Sequence, residues 1–255
     1  MYIYFFSFGV SSFCFWYAEK KKGTLFYKLF VFVGLIIPIS LAGLRDISIG
    51  TDTKYYLRLF EVAKLTEKYV DFLNCRVIME NRLVPVKEWE MGYTLLVYGV
   101  SRLSGSYQLL MIITHTIIIL CVYFGMKHFE QEASIWMGML SFFFLFFNIS
   151  LNATRQWLAM AVLFYGFIYV VEDKKCKTLI TLLIATSFHS SAFLFIAICL
   201  LYWYSQINND RKILVTINRK EIEQSTYKIF FVIILGVVLL GGIQVISSIL
   251  TNINA

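Results

Sequence analysis

The sequence predicts an all-α integral membrane protein, a polytopic helical bundle with one long external loop and a re-entrant or broken helical hairpin. Hydrophobic residues make up 59% of the 255 residues and charged residues only 15%, whereas about 25% of residues are charged in soluble domains. The apolar residues fall in runs near the ~20 residues that a helix needs to cross a bilayer. We therefore interpret residues 1–255 as one membrane domain.

Lysine clusters between the apolar runs define the predicted topology. Lys20, Lys21 and Lys22 lie between the first two runs, and the positive-inside rule places that loop in the cytoplasm and the N-terminus outside. The first run has no basic segment before it and no small-residue cleavage site, so we interpret it as a retained helix. The predicted helices are Met1–Tyr17, Leu25–Leu44, a partial helix Met91–Leu103, Ser106–Met126, Ser134–Asn148, Trp157–Val171 and Tyr227–Leu250.

The polar segment from about residue 45 to residue 90 is the predicted external loop. Its acidic and basic residues are balanced, which fits a location outside the cytoplasm. Thr51 or Asp52 can cap a helix in which Tyr56, Leu59, Phe60 and Ala63 share one face. This helix is expected to lie on the membrane surface or over a polar site.

The apolar run Thr178–Tyr204 is interrupted by the polar sequence SFHSS. Two half-helices, Thr178–Ser187 and Ser191–Tyr204, would leave both flanking basic loops in the cytoplasm. Broken helices occur at membrane depth where they line a cavity. We therefore predict a hairpin with His189 at its outer tip.

Two arginines are the main candidates for binding an anion. Arg155 lies between two apolar runs, where a charge costs roughly 2.5–3.5 kcal/mol at a helix centre. If Asn152 caps the helix that continues through Trp157, Arg155 lies in its first turn, where backbone N–H groups favour an anion. Arg45 directly follows a span on the external side. It could form the other half of a pyrophosphate clamp or simply pair with Asp46.

The same external face collects the candidate acid–base residues. Asp46, Asp52 and Glu90 are possible carboxylate bases, and His189 is a possible positioning or acid–base group. The five cysteines form no CxxC pair, so we expect no disulfide framework, no metal site and no cofactor. We also expect no nucleic-acid partner, because no soluble segment carries a basic stripe with stacking aromatic residues.

Four short motifs occur in an order that resembles a known family. RDISIGTDTKYY follows the second helix and EMGY precedes the third, LNATRQWLAMA starts a helix, and ATSFHSSAF lies in the broken run. In order and rough spacing they resemble the EpsG-type, Wzy-like polysaccharide polymerases over about residues 44–204. Each motif alone is weak, whereas four in this order are fairly specific.

That resemblance implies an enzyme similar to GT-C-type glycosyltransferases. Such enzymes join oligosaccharide repeat units carried on undecaprenyl pyrophosphate at the outer face of the bacterial inner membrane, in capsule, exopolysaccharide or O-antigen synthesis. A flippase and a chain-length regulator of the same pathway are the expected protein partners. Family members are usually longer, so the resemblance also implies a C-terminal truncation. The resemblance places in the site region Arg45, Gly50, Thr51, Asp52, Tyr55, Glu90, Gly92, Tyr93, Asn152, Arg155, Gln156 and His189, and it does not settle which residue is the base. We predict catalytic roles for Asp52, Glu90 and His189, and substrate binding by Arg45, Asp46, Thr51, Tyr55, Tyr93, Asn152, Arg155 and Gln156.

Two other functions stay open at this point. A flippase or transporter for lipid-linked oligosaccharides would be expected to distribute polar residues through the membrane depth and on both faces, whereas here they gather on one predicted face. A membrane O-acyltransferase could use His189, but the sequence shows no route for an activated acyl donor.

Overall fold

The computed structural model describes residues 2–50, 52–80 and 82–213, and this part of the chain is almost entirely helical. The predicted all-α polytopic fold is confirmed. A two-stranded antiparallel hairpin interrupts the helices, with Val77 opposite Val84 and Ile78 opposite Leu83. The elements are α1 (Tyr2–Lys20), α2 (Leu25–Gly43), α3 (Thr53–Leu65), α4 (Tyr69–Asn74), β1 (Arg76–Met79), β2 (Arg82–Pro85), α5 (Met91–Leu103), α6 (Tyr107–His128), α7 (Ile135–Phe142), α8 (Asn148–Asn152), α9 (Thr154–Val171), α10 (Lys175–Phe188) and α11 (Phe195–Ile213).

Four helical segments in the described part are long and apolar enough to cross a membrane: Leu25–Gly43, Tyr107–His128, Ile135–Asn152 and Thr154–Val171. Each coincides with a predicted span. The third combines α7 and α8 through a π-helical turn, Phe143–Phe147. At 13 residues, α5 is about 20 Å long and too short to span, as predicted.

The first helix differs from the other predicted spans. It has 19 residues, but it is not among the four helices that meet both the length and the hydropathy of a span. Its tyrosines, serines and terminal Glu19 and Lys20 lower its mean hydropathy. It packs along α2 and α7, and the ring of Phe8 stacks at 5.4 Å on that of Phe143, in the π-helical turn after α7.

The segment between α2 and α5 is folded. The predicted amphipathic helix is α3, and its Tyr56, Leu59, Phe60 and Ala63 are all buried. Asp52 precedes α3 at the capping position, but its side chain makes no capping bond, and Thr51 lies outside the described residues. Arg102 Nη2 donates to the carbonyl oxygens of Ala63 at 2.6 Å and Lys64 at 3.2 Å. Because these carbonyls end α3, Arg102 holds α3 against α5.

The predicted break in the run Thr178–Tyr204 is confirmed at His189. Here α10 ends, His189 is extended at φ −159° and ψ 128°, and a short 3-10 helix, Ser190–Leu194, precedes α11. The chain divides into two compact units, Met1–Phe193 and Leu194–Ala255. That the two halves of the run form a hairpin therefore stays a prediction. The predicted span Tyr227–Leu250 lies outside the described residues.

Candidate functional site

Three predicted site residues that are far apart in sequence meet at Glu90. Arg155 Nη1 donates a hydrogen bond to Glu90 Oε2 in an ion pair. The Nδ1 atom of His189 lies 3.0 Å from Glu90 Oε1, and the backbone N–H of Ser190 donates to the same oxygen at 3.3 Å. These four residues form what is called here the Glu90 cluster. The start of α5, the start of α9 and the end of α10 therefore meet at one end of the bundle.

The carboxylate of Glu90 is strongly stabilised in its charged form. Burial opposes the charge, but the hydrogen bond with His189 and the charge of Arg155 outweigh it and lower the pKa of Glu90 to about 2. The side chain is only 17% exposed, so solvent screens these interactions weakly. Glu90 is thus ionised across the neutral range, and it is a weak proton acceptor while these partners hold it.

Arg155 is the second residue of α9, so its predicted place in the first turn of that helix is confirmed. Its guanidinium carbon lies 4.3 Å from the ring centroid of Trp89, a cation–π contact that fixes the side chain. The Nε atom of Arg155 is buried without a hydrogen-bond partner among the described residues. The predicted cap is wrong: Asn152 ends α8, and Ala153 occupies the capping position of α9 without a side-chain bond.

A glycine allows α5 and α10 to approach each other at the Glu90 cluster. A β-carbon on Gly92 would lie 2.7 Å from the carbonyl oxygen and 2.9 Å from the carbonyl carbon of Ser187. Since these are backbone atoms, no side-chain rotation can relieve the clash. Gly92 therefore sets the distance between the helix that carries Glu90 and the helix that ends at His189.

The variant Gly92→Ala is expected to lower the free energy of unfolding by about 1–3 kcal/mol, as other overpacked contacts do. Gly99→Ala in the same helix is the matched control, because a β-carbon there meets nothing within 4 Å and alanine favours the helix. Thermal unfolding of the two purified full-length variants in detergent measures the difference. Equal stability of both variants would contradict the close approach.

Arg45 forms a second cluster at the same end of the bundle. It is 8% exposed, and its Nη2 atom donates to Leu151 O at 2.9 Å and to Thr53 Oγ1 at 3.3 Å. Its Nε and Nη1 atoms are buried without a hydrogen-bond partner among the described residues. Burial lowers the pKa of Arg45 from its usual value, and tyrosines including Tyr107 oppose that shift. The guanidinium nevertheless stays charged at neutral pH.

The predicted alternative that Arg45 pairs with Asp46 is wrong for the described structure. Asp46 is exposed, and its Oδ1 atom accepts the backbone N–H of Ser48 at 2.9 Å. Hydrogen bonding from the side chain of Ser48, and then from its backbone N–H, lowers the pKa of Asp46. In the part of the chain that the structure describes, no carboxylate lies within salt-bridge distance of Arg45. Among the described residues, the guanidinium of Arg45 therefore has hydrogen-bond acceptors but no counter-ion.

Tyr93 connects the two arginine clusters. It is fully buried, and its hydroxyl has no hydrogen-bond partner in the described part of the chain. Burial raises the pKa of Tyr93 well above its usual value, and the charges of Arg155 and Arg45 both oppose that rise. The positive charges of both guanidinium groups therefore favour ionisation of the same hydroxyl. A ligand with more than one anionic group would suit two such cations.

Tyr56, whose ring contacts Tyr93, is influenced by the charges of both Asp52 and Arg155. The ring of Tyr56 lies 5.5 Å from that of Tyr93 in an edge-to-face contact. Burial raises the pKa of Tyr56, Arg155 lowers it, and Asp52 raises it further. Asp52 is thus within electrostatic reach of the hydroxyl next to Arg155. Its neighbour Tyr55 is buried, with Lys54 Nζ 5.0 Å from its ring centroid.

The remaining predicted residues lie around these clusters. Gly50 has φ +105°, and a β-carbon there would lie 2.5 Å from Thr53 Oγ1 and 2.8 Å from Asn152 Oδ1. Asn152 therefore lies near Arg45's partner Thr53. The turn before α3 therefore needs glycine at position 50, both for its positive φ and for its close approach to Thr53 and Asn152. Gln156 is half-buried in the first turn of α9.

Sequence reasoning missed several residues of the two clusters. His115 belongs to none of the four sequence motifs, yet it is fully buried, and its Nδ1 atom lies 3.0 Å from the carbonyl oxygen of Met111. Met111 also contacts Arg45 Nη2 through its sulfur at 3.5 Å. Trp89 and Tyr56 give no periodic signal that sets them apart from core aromatics. A histidine in the middle of a span was the one available sign.

Within the described residues, no group of three or more histidine, cysteine, aspartate or glutamate side chains could hold a metal ion. Comparison with known proteins gives one positive finding: the family model described as "EpsG family" matches residues 27–254. No curated protein and no solved structure matches the chain. The matched region contains both arginine clusters.

Proposed function

Because this chain belongs to the EpsG family, we propose that it polymerises oligosaccharide repeat units carried on undecaprenyl pyrophosphate. Family membership supports a membrane enzyme of the polysaccharide polymerase, glycosyltransferase-like type. The carrier lipid, the bacterial inner membrane and an active site on its external face are our proposal, as are a flippase and a chain-length regulator as partners. The balanced charge of the segment between α2 and α5 supports the external placement.

The observation that carries the proposal is a pair of arginines, one holding Leu151 O and the other Glu90, whose guanidinium groups are only partly satisfied. Arg45 and Arg155 both keep buried guanidinium N–H groups without a partner in the described residues. A buried polar group without a partner costs free energy, and a pyrophosphate would satisfy such groups in pairs. As negative charge grows on the departing pyrophosphate, two fixed cations stabilise it without reorganisation.

The proposed reaction is a direct displacement at the anomeric carbon of the donor. The acceptor hydroxyl oxygen forms the new glycosidic bond while the bond from the anomeric carbon to the pyrophosphate oxygen breaks. Undecaprenyl pyrophosphate leaves with the electron pair, and the acceptor proton passes to a carboxylate and then to solvent. Inversion at the anomeric carbon follows from a single displacement.

Glu90 is the carboxylate that we propose as the base. Its hydrogen bond with His189 orients the group and provides a route for the proton. Asp52 is the alternative base, since its charge raises the pKa of Tyr56, the same hydroxyl whose pKa Arg155 lowers. No step in this scheme requires a metal ion, because the two arginines take the role of neutralising the pyrophosphate.

Deletion of the gene tests the proposal. Cells without the protein are expected to accumulate single lipid-linked repeat units, because assembly and flipping precede polymerisation. The lengths of the lipid-linked glycans, measured by gel electrophoresis and mass spectrometry, report the result, and the full-length gene supplied on a plasmid should restore polymer. Normal polymer in the deleted strain would refute the proposal. Loss of external single units as well would favour a flippase.

A further inference from the structure

We propose that Glu90 occupies, in the substrate-free protein, the place on Arg155 that an anionic phosphate of the substrate takes on binding. This inference rests on the proposed function, since it assigns a second role to a residue of that site. Glu90 would thus be an internal substitute for the ligand. The lipid-linked sugar donor must displace the Glu90 carboxylate from Arg155 before the reaction begins.

The donors around Glu90 match those of a phosphate site. A guanidinium N–H, an imidazole nitrogen and a backbone N–H converge on its two oxygens. Carboxylates and phosphates are bound by the same kinds of donors, and arginine binds both through paired N–H groups. Among the described residues, the Nε atom of Arg155 has no hydrogen-bond partner, so this N–H could donate a second bond that the carboxylate does not accept.

The position of Glu90 in the chain favours its release. It is the residue before α5, with φ −61° and ψ 134°, and its side chain makes no capping bond to that helix. Displacement of the carboxylate from Arg155 therefore breaks no capping bond of α5. The hydrogen bond with His189 is on the other oxygen, Oε1, so the carboxylate can stay with the histidine when Arg155 turns to the phosphate.

Displacement would couple binding of the donor to activation of the base. With Arg155 as its partner, the Glu90 carboxylate holds a proton weakly. When the guanidinium is taken by a phosphate, the carboxylate loses a stabilising charge and becomes a stronger proton acceptor. The same event that binds the donor would therefore prepare Glu90 to accept the proton of the acceptor hydroxyl.

The test is the affinity of the purified full-length protein for inorganic pyrophosphate, measured by isothermal titration calorimetry. If Glu90 competes with the ligand, Glu90→Gln should bind pyrophosphate about tenfold more tightly than the natural protein, on the order of one charge-assisted hydrogen bond. Glu90→Ala should change the affinity in the same direction. Turnover should fall in both variants although binding improves.

Glu88→Gln is the matched control, because Glu88 is exposed two residues away and the variant makes the same change in net charge. Its affinity should equal that of the natural protein. In an Arg155→Ala background, Glu90→Gln should give no gain. Unchanged or weaker binding by Glu90→Gln, with Arg155→Ala still reducing affinity, would overturn the displacement alone. Equal binding by all variants, Arg155→Ala included, would overturn the proposed pyrophosphate site itself.

Discussion

Arg155→Ala is expected to abolish polymer and leave single lipid-linked repeat units. The guanidinium is the group that the Glu90 cluster offers to a phosphate, and alanine removes both its charge and its donors. A charge-assisted hydrogen bond contributes roughly 1.5–3 kcal/mol, and each 1.4 kcal/mol is a factor of ten. The expected loss is therefore about ten- to a hundred-fold per bond, and larger if two bonds are lost.

Arg155→Lys separates charge from geometry. Lysine keeps the positive charge but not the planar fork that can bind two phosphate oxygens, nor the stacking on Trp89. We expect it to recover little of the activity that alanine loses. The glycan length distribution of cells that carry each variant is the measurement. Arg58→Ala is the control, because Arg58 is an exposed arginine outside both clusters whose Nη1 donates to Ile78 O.

Folding must be distinguished from function in this experiment. Arg155→Ala removes the arginine counter-ion of Glu90, and a half-buried charge that loses its counter-ion destabilises the protein. The double variant Arg155→Ala with Glu90→Gln removes that charge as well. It should recover the unfolding temperature of the natural protein and still make no polymer. Normal polymer from Arg155→Ala would instead reduce Arg155 to an interfacial anchor.

The spans were predictable because each depends on a local property. Runs such as Leu25–Gly43 and Tyr107–His128 are apolar along their own length, and no distant contact is needed to recognise them. The break at His189 was also local, because polar residues interrupt an apolar run. The position of Arg155 in the first turn of α9 followed from the same pattern.

The contacts of the site depend on packing between distant elements and were not predictable in detail. Glu90 meets Arg155 across 65 residues and His189 across 99, and periodicity says nothing about such separations. The capping prediction for Asn152 failed because a single residue, Ala153, separates α8 from α9 and takes the capping position. Arg45 and Asp46 are adjacent in sequence, yet one is buried and the other exposed.

Arg45→Met is expected to abolish polymer while leaving the protein as stable as before, or more stable. A buried charge without a carboxylate partner in the described residues costs several kcal/mol of desolvation. Replacing buried ionic groups by apolar side chains of similar size is often neutral or stabilising by about 1–4 kcal/mol. Methionine is unbranched and adaptable, and it would pack against the sulfur of Met111, which Arg45 Nη2 already contacts at 3.5 Å.

The partners of Arg45 retain other hydrogen bonds in this variant. Leu151 O still accepts from Thr154 Oγ1 at 3.3 Å, and Thr53 Oγ1 still donates to Ile49 O at 2.9 Å. Loss of the guanidinium therefore leaves neither atom unsatisfied. A residue retained for the fold would lose stability on substitution, whereas a residue retained for an anionic ligand loses activity and gains stability.

Thermal unfolding of the purified full-length variant and the glycan length distribution in cells measure the two effects together. We expect an unfolding temperature equal to or a few degrees above that of the natural protein, and at least a tenfold loss of polymer, since about one charge-assisted bond to the leaving pyrophosphate is lost. Arg58→Met on the exposed face of α3 should change neither quantity. A large loss of stability with Arg45→Met would make Arg45 a structural residue, and normal polymer would remove it from the proposed clamp.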